Sequence, residues 1–326
     1  MVRCNRREFV GALAGMPVAA RAAFGEQAAT PSFPIIDTHI HLFDKTRPEG
    51  APYPRDMPGG GEPPQGMIAL PNRFQAISAP LGVVGAVVVE ASPRLDDNQW
   101  ILDVAANAPI IVGLVGRIDP ADQAFGEHLD RLRRNPLFLG IRQGRLHLGL
   151  DSPGYIANLQ RLADADCSLD VDTPRQGMTA PEVLVKMLDK VPSLRLVMDH
   201  LPDLRFPDRA AKDTYRMYLR ELGTRPQVHI KLSEVVRTWG GRVSTDLNAY
   251  RDWLDELWSI FGEDRIMFGS DWPQSESLEF NSYPNVFGVA RAYVRGKGPN
   301  AMEKVFWKNS LKPYRWVQRL PSQRQV

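Results

Sequence analysis

The chain has 326 residues, 43% of them hydrophobic, and its 40 basic and 38 acidic side chains leave a formal net charge of +2. That length can bury a sizeable core as one large domain or two ordinary ones. The near balance of charge argues against a nucleic-acid partner, which would show a clustered basic face. Only two cysteines occur, Cys4 and Cys167, so a disulfide framework is excluded.

The first 30 residues do not read as part of a fold. Arg6-Arg7 precedes a mildly apolar run over 10–20, and small residues follow around 20–22, a pattern that resembles a twin-arginine export signal. The run is too short to cross a bilayer, which takes about 20 residues. The expected division is therefore a signal and spacer over 1–30 and one domain over 31–326, acting in the periplasm or outside the cell. Cleavage would remove Cys4 and leave Cys167 as the one thiol.

From residue 33 onward, apolar runs alternate with stretches of helical spacing. Strands are expected at 33–36, 83–90, 110–118, 138–141, 168–171, 194–198, 228–232 and 266–268. Several are continuous in Val, Ile and Leu, as suits parallel strands covered on both faces. Helices are expected at 97–107, 124–135, 156–165, 180–190, 210–222 and 247–261. This alternation predicts an α/β fold of the (β/α)8 barrel type, with a doubly wound open sheet as the alternative. Residues 44–72 carry seven prolines and five glycines and read as a long loop after the first strand, and 273–283 as a second loop after the last.

In a parallel barrel the C-terminal strand ends share one mouth, and chemically useful residues recur there. The first strand runs into His39 and His41, which extended backbone would point to one face. Glu90 ends the second, Arg142 the fourth, Asp170 and Asp172 the fifth. The sixth ends in Asp199 and His200, with Asp199 alternating away as a supporting group. The seventh carries His229, Lys231 and Ser233 on one face, and the eighth leads to Asp271 and Trp272. Charged groups at the ends of apolar strands are costly unless paired or bound to something. Glu90 reads either as a cap or as a substrate contact, and Arg142 either as a loop-holding ion pair or as an anion-binding group. Lys231 needs an anionic neighbour, either Asp271 or a substrate carboxylate; His229, deeper, reads as packing. Tyr53, Trp272, Tyr283 and His147 are candidates to line the mouth.

These segments, Asp37-Thr38-His39-Ile40-His41, Val89-Glu90-Ala91-Ser92, Gly140-Ile141-Arg142, Met198-Asp199-His200, Ile230-Lys231-Leu232-Ser233 and Gly269-Ser270-Asp271-Trp272-Pro273, resemble the amidohydrolase superfamily. Within it they resemble the amidohydrolase-2 group of TIM-barrel hydrolases, which includes sugar-lactone and pyrone-dicarboxylate lactonases and, more distantly, aminocarboxymuconate-type decarboxylases. The resemblance spans about residues 33–315. It implies a metal site of His39, His41, His200 and Asp271, with Asp271 as general base and His200 and Lys231 as catalytic groups. Arg142, Glu90, Asp172 and Trp272 would bind substrate. One divalent ion, zinc, is implied, because Arg142 stands where a bridging lysine would be needed for two; members that act without metal keep that alternative open. The expected reaction on a small-molecule substrate is opening of a sugar lactone or of an aromatic-degradation lactone, with non-oxidative decarboxylation as the second reading and a non-enzymatic binding barrel as the third.

Overall fold

Eight parallel strands form one sheet in the order β1 (Ile35–Ile40), β2 (Val83–Val89), β3 (Ile111–Gly116), β4 (Phe138–Gln143), β5 (Ser168–Asp172), β6 (Arg195–Asp199), β7 (Val228–Leu232) and β10 (Ile266–Phe268). The computed structural model describes residues 33–49, 68–144, 146, 149–172, 179–204, 208–239, 242–276 and 282–324. The expected export signal, most of the proline-rich loop, Tyr53 and His147 lie outside these residues. Helices α1 (Pro71–Ser78), α2 (Asp97–Ala106), α3 (Phe125–Leu132), α4 (Pro153–Asp164), α5 (Pro181–Lys190), α6 (Arg209–Thr224), α7 (Arg251–Phe261) and α8 (Tyr283–Arg295) alternate with the strands. The fold is the expected TIM barrel, in one domain. A small hairpin, β8 (Thr238–Trp239) and β9 (Arg242–Val243), interrupts the path from β7 to α7.

Local chemistry accounts for most of the element boundaries. Four of these eight helices start with proline at their first or second position, where its missing N–H costs nothing: α1, α4, α5 and α8. In α6 Asp208 accepts from Ala211 N at 2.7 Å, capping the helix, and Tyr215, Leu219 and Leu222 form the buried stripe at spacings of four and three. The expected helix over 247–261 is divided into a 3-10 turn, Leu247–Ala249, and α7. Helix α1 begins inside the stretch expected to be loop, and α8 begins at Tyr283, where loop was expected to end.

The first strand departs furthest from expectation. It runs on through Asp37, Thr38 and His39 instead of ending at Ile36, because each polar group finds a partner on the last strand or in the residues just after it. Thr38 Oγ1 donates to Phe268 O at 2.6 Å, Asp37 Oδ1 accepts from Ser270 N at 2.9 Å, and Asp271 N donates to His39 O at 2.9 Å. Tyr283 Oη adds a bond to Asp37 Oδ2 at 3.0 Å. These contacts bring the eighth strand to the first, so the seam of the barrel is stitched by the residues that flank His39 and Asp271.

Asp37 is fully buried, and that burial outweighs the bonds from Ser270, His39 and Tyr283 and raises its pKa to about 6. A folded-state pKa above the unfolded value, about 3.9, gives stability that is present at low pH and lost as pH rises through 6, amounting to about 3 kcal/mol. Asp37→Asn carries no such dependence. Between pH 4 and pH 7.5 the wild type is expected to lose about that much stability relative to Asp37→Asn, measured by urea unfolding of both proteins at each pH.

Two apolar layers hold the barrel. One lies between strands and helices and includes Ile35, Val88, Leu114, Ile141, Leu169, Leu196 and Ile230. The other, with Ile36, Val87, Val112, Val197 and Met267 of the alternate face, joins Trp307, Tyr314 and Trp316 of the C-terminal segment. That segment comprises α9 (Pro299–Glu303), a π-helical turn at Lys304–Lys308 and α10 (Asn309–Tyr314), and its aromatic side chains close the barrel floor.

Candidate functional site

His39, His41, His200 and Asp271 come together at the C-terminal end of the barrel, although 232 positions separate the first from the last. The rings of His39 and His41 lie edge to face with centroids 4.9 Å apart, and those of His39 and His200 lie 4.6 Å apart. Asp271 Oδ1 is 3.1 Å from His41 Nε2 and 3.5 Å from His39 Nε2. Among the described residues, His39, His200 and Asp271 each offer a ligand atom within 4.8 Å of the others. His200 and Asp271 both adopt left-handed backbone, φ +61° and +58°, which costs of order 1–3 kcal/mol each and persists only where surroundings enforce it.

The Nδ1 atoms of the three imidazoles are engaged from behind. His41 Nδ1 lies 2.9 Å from Val89 O; a carbonyl only accepts, so Nδ1 carries the proton there and Nε2 keeps its lone pair. His200 Nδ1 lies 2.9 Å from Ser233 Oγ, and His39 Nδ1 faces Asp199 Oδ1 at 3.3 Å. Burial first, and then Lys231, lowers the His39 pKa to about 3. Burial holds His200 well below the usual histidine range despite Asp271. Burial alone would raise Asp271, but His200, His41 and His39 outweigh it and hold the carboxyl below the ordinary range. The result is an ionised carboxylate beside neutral imidazoles at His39 and His200.

That arrangement is short of positive charge. His41 Nε2 and Asp271 Oδ1 are both lone-pair atoms, yet they stand 3.1 Å apart, with His39 Nε2 3.3 Å from His41 Nε2. Such a contact is favourable only with a proton or a cation between the atoms. Nitrogen and carboxylate donors oriented through their far atoms match what a divalent ion such as zinc takes, so the residues present fit the metal.

Three candidate residues differ from expectation in their surroundings. Lys231 does not meet Asp271. Its Nζ is fully buried, donates to Asp170 Oδ2 at 2.8 Å and lies 2.8 Å from Asp199 Oδ1, because Lys231 pairs in register with Met267, four residues short of Asp271. Trp272 does not line the mouth. It has 0% exposure, its ring packs on Phe74 at 5.4 Å, and Nε1 donates to Glu276 Oε1 at 3.0 Å, because β10 ends at Phe268 and turns its successors under α1. Tyr283 is likewise buried, on Asp37. Asp199 is the supporting group the strand alternation suggested, surrounded by His39, Lys231 and Arg142.

Arg142 bonds Asp172 and lies 2.8 Å from Asp199 Oδ2. Burial would lower its pKa, but Asp172, Asp199 and Glu90 outweigh that, so it remains a cation. Glu90 Oε2 accepts from Ser92 N at 2.9 Å, which holds the turn after β2 and does not cap α2, whose first residue is Asp97, and Oε1 lies 3.6 Å from Arg117. Burial raises its pKa against Arg142 and Arg117. Asp172 Oδ1 is 4.0 Å from His200 Nε2. His229, buried two residues deeper, packs toward the floor, where burial lowers its pKa to about 4.

Sequence reasoning missed Gly269. A side chain there would place its Cβ 2.7 Å from His39 Cβ, so the glycine is what lets β10 pass the first histidine. Gly269→Ala is expected to push His39 aside, costing about 1–3 kcal/mol in stability from overpacking but a larger fraction of kcat/KM, checked by thermal melts alongside steady-state kinetics.

The chain resembles known proteins over most of its length. A 302-residue alignment with the L-fucono-1,5-lactonase of Burkholderia ambifaria shows 28% identity and covers 86% of this chain and 95% of that protein. A solved amidohydrolase from Burkholderia multivorans with bound zinc superposes with a TM-score of 0.71 at 22% identity, covering 87% of this chain and all of that one. A probable 2-pyrone-4,6-dicarboxylic acid hydrolase from Acinetobacter baumannii, solved with citric acid, gives 0.64 at 20% identity over 86% of this chain and 98% of that one. The Amidohydrolase family model matches residues 36–316, from the strand that leads into His39 to the tryptophan in the barrel floor, and the chain belongs to that family of hydrolases.

Proposed function

We propose that the protein opens a lactone of a sugar acid, using His39, His41, His200 and Asp271 to activate a water molecule. The observation that carries this is the crowding of lone-pair atoms around Asp271, 3.1 Å from His41 Nε2, which favours a cation or proton bound between them. One zinc ion held by those four residues would supply a Lewis acid for water and carbonyl. Asp271 accepts a proton from the attacking water and returns it to the ring oxygen as the ester C–O bond breaks. A hydroxy acid results, and it releases a proton at neutral pH.

Among the described residues, the charges around the cluster support a neutral, polyhydroxylated substrate. Arg142 is committed to Asp172 and Asp199, and Arg117 faces Glu90; neither is left unpaired to meet a substrate carboxylate. Asp172 and Glu90, 17% and 10% exposed at their side chains, are instead placed to accept from hydroxyl groups. The similarity to an L-fucono-1,5-lactonase supports the same reading. Export through the Arg6-Arg7 signal belongs to the proposal and would put the enzyme outside the cytoplasm.

The test is a proton-release screen of the zinc-loaded protein over neutral sugar lactones and a dicarboxylated pyrone lactone, with and without chelator. Turnover of neutral lactones that chelator abolishes is the expected result. Preference for the dicarboxylated lactone removes the charge argument, and carbon dioxide evolution from a carboxylated aromatic without lactone turnover overturns the proposal.

A further inference from the structure

Beneath the histidines, a buried chain of polar groups runs from the cluster to the barrel floor. Lys231 Nζ lies 3.3 Å from His39 Nδ1 and donates to Asp170 Oδ2 at 2.8 Å. Tyr314 Oη, at the end of α10, donates to that same Asp170 oxygen at 2.5 Å, and the ammonium stands 5.3 Å from the centre of the tyrosine ring. Lys231, Asp170 and Asp199 have 0% exposure and Tyr314 1%, so protein groups have to balance one another here. The tyrosine is itself tied to the strands: Arg195 Nε donates to Pro313 O at 2.9 Å, and Val317 N to Val112 O at 3.0 Å.

Two groups face His39 Nδ1 at the same 3.3 Å, Asp199 Oδ1 and Lys231 Nζ. A carboxylate there takes the Nδ1 proton and leaves a lone pair on Nε2, the atom that faces Asp271. An ammonium there donates to Nδ1 instead, so the single proton of the neutral ring sits on Nε2 and no lone pair remains. The outcome depends on where the ammonium directs its protons. Asp170 draws them toward the floor, and Tyr314 holds Asp170 in place to do so.

We propose that Tyr314 is a positioning residue for the site, acting through Asp170 and Lys231 to keep the His39 lone pair directed at Asp271. This rests on the reading of the His39, His41, His200 and Asp271 cluster as the reaction centre. It assigns to the C-terminal segment, more than 40 residues beyond Asp271, a share in setting the proton arrangement of the first histidine.

Tyr314→Phe keeps the ring and removes the hydroxyl. Asp170→Asn cuts the same chain one link nearer the site. Trp316→Phe is the control, since the single N–H of that buried floor residue is donated to Ser310 Oγ at 2.9 Å. Two measurements are made on each full-length protein: zinc affinity by competition with a chelator, and imidazole nitrogen NMR of the metal-free form. Tyr314→Phe and Asp170→Asn are expected to weaken zinc binding roughly tenfold and to move the His39 signals toward the Nε2-protonated tautomer, while Trp316→Phe changes neither. Unchanged spectra in Tyr314→Phe, or equal changes in Trp316→Phe, overturn the proposal. The spectra depend on neither zinc nor turnover, so a wild type that opens no lactone refutes the proposed function and leaves this test standing.

Discussion

Asp271→Asn is expected to lower kcat/KM for a neutral sugar lactone by about 10² to 10⁴, the range that general-base catalysis supplies, without unfolding the protein. Asparagine has the same shape, so the left-handed backbone at φ +58°, which Asp and Asn both tolerate better than most residues, is retained. What changes is the proton inventory. The carboxylate accepts a proton from water, whereas the amide does not. The amide also brings an N–H donor to His41 Nε2, now 3.1 Å from a carboxylate oxygen, and so relieves the crowding of lone pairs in the wild type. The thermal midpoint of the metal-free variant is therefore expected to equal or exceed that of the metal-free wild type while activity falls, the trade that sites under electrostatic strain show. Proton-release kinetics and thermal melts of both proteins check this; activity within tenfold of wild type would mean that Asp271 is not the base.

Lys231→Met is expected to have the largest effect on stability. The ammonium sits between two fully buried carboxylates, Asp170 and Asp199, each at 2.8 Å. Its loss leaves Asp170 with Tyr314 and Ser168 and leaves Asp199 with His39 and Arg142. Removing one partner from a buried ionic group costs about 3–5 kcal/mol, because the remaining charge stays out of water. For a domain of this size the thermal midpoint should fall by roughly 10 °C. Adding Asp170→Asn removes the stranded charge and should recover a substantial part of the loss. A lysine that served only to bind a substrate carboxylate would behave differently: its removal would raise KM and leave stability unchanged or improved. Urea unfolding of the single and double variants, with KM measured on each, separates the two roles.

The same lysine shows how far the chain could be read before it was folded. Strand alternation places Lys231 on the inward face of its strand, and that is where it lies. Alternation does not say how deep along the barrel axis a residue sits. Depth follows from the stagger of neighbouring strands, and the pairing of Lys231 with Met267 sets it below Asp271, among Asp170 and Asp199. Trp272 follows the same logic. Its place after the last strand suggested the mouth, but a short β10 turns it under α1, against Phe74.

Alternating apolar runs and helical stretches were enough to determine eight strands and the six helices between the second strand and the last, because the spacing that buries one face of each element is local. Residue type and order likewise put His39, His41, His200 and Asp271 at one mouth, since every strand of a parallel barrel ends there, and the resemblance to the amidohydrolase superfamily set these four apart from the Glu90, Arg142 and Asp172 that share it. Tertiary structure alone decided which groups surround it. Asp37 meets Ser270 across 233 positions, Tyr314 meets Asp170 across 144, and Thr38 meets Phe268 across 230. Such contacts depend on barrel closure and on what fills the floor, quantities that arise only when all eight strands are in register, and no periodicity within one segment contains them.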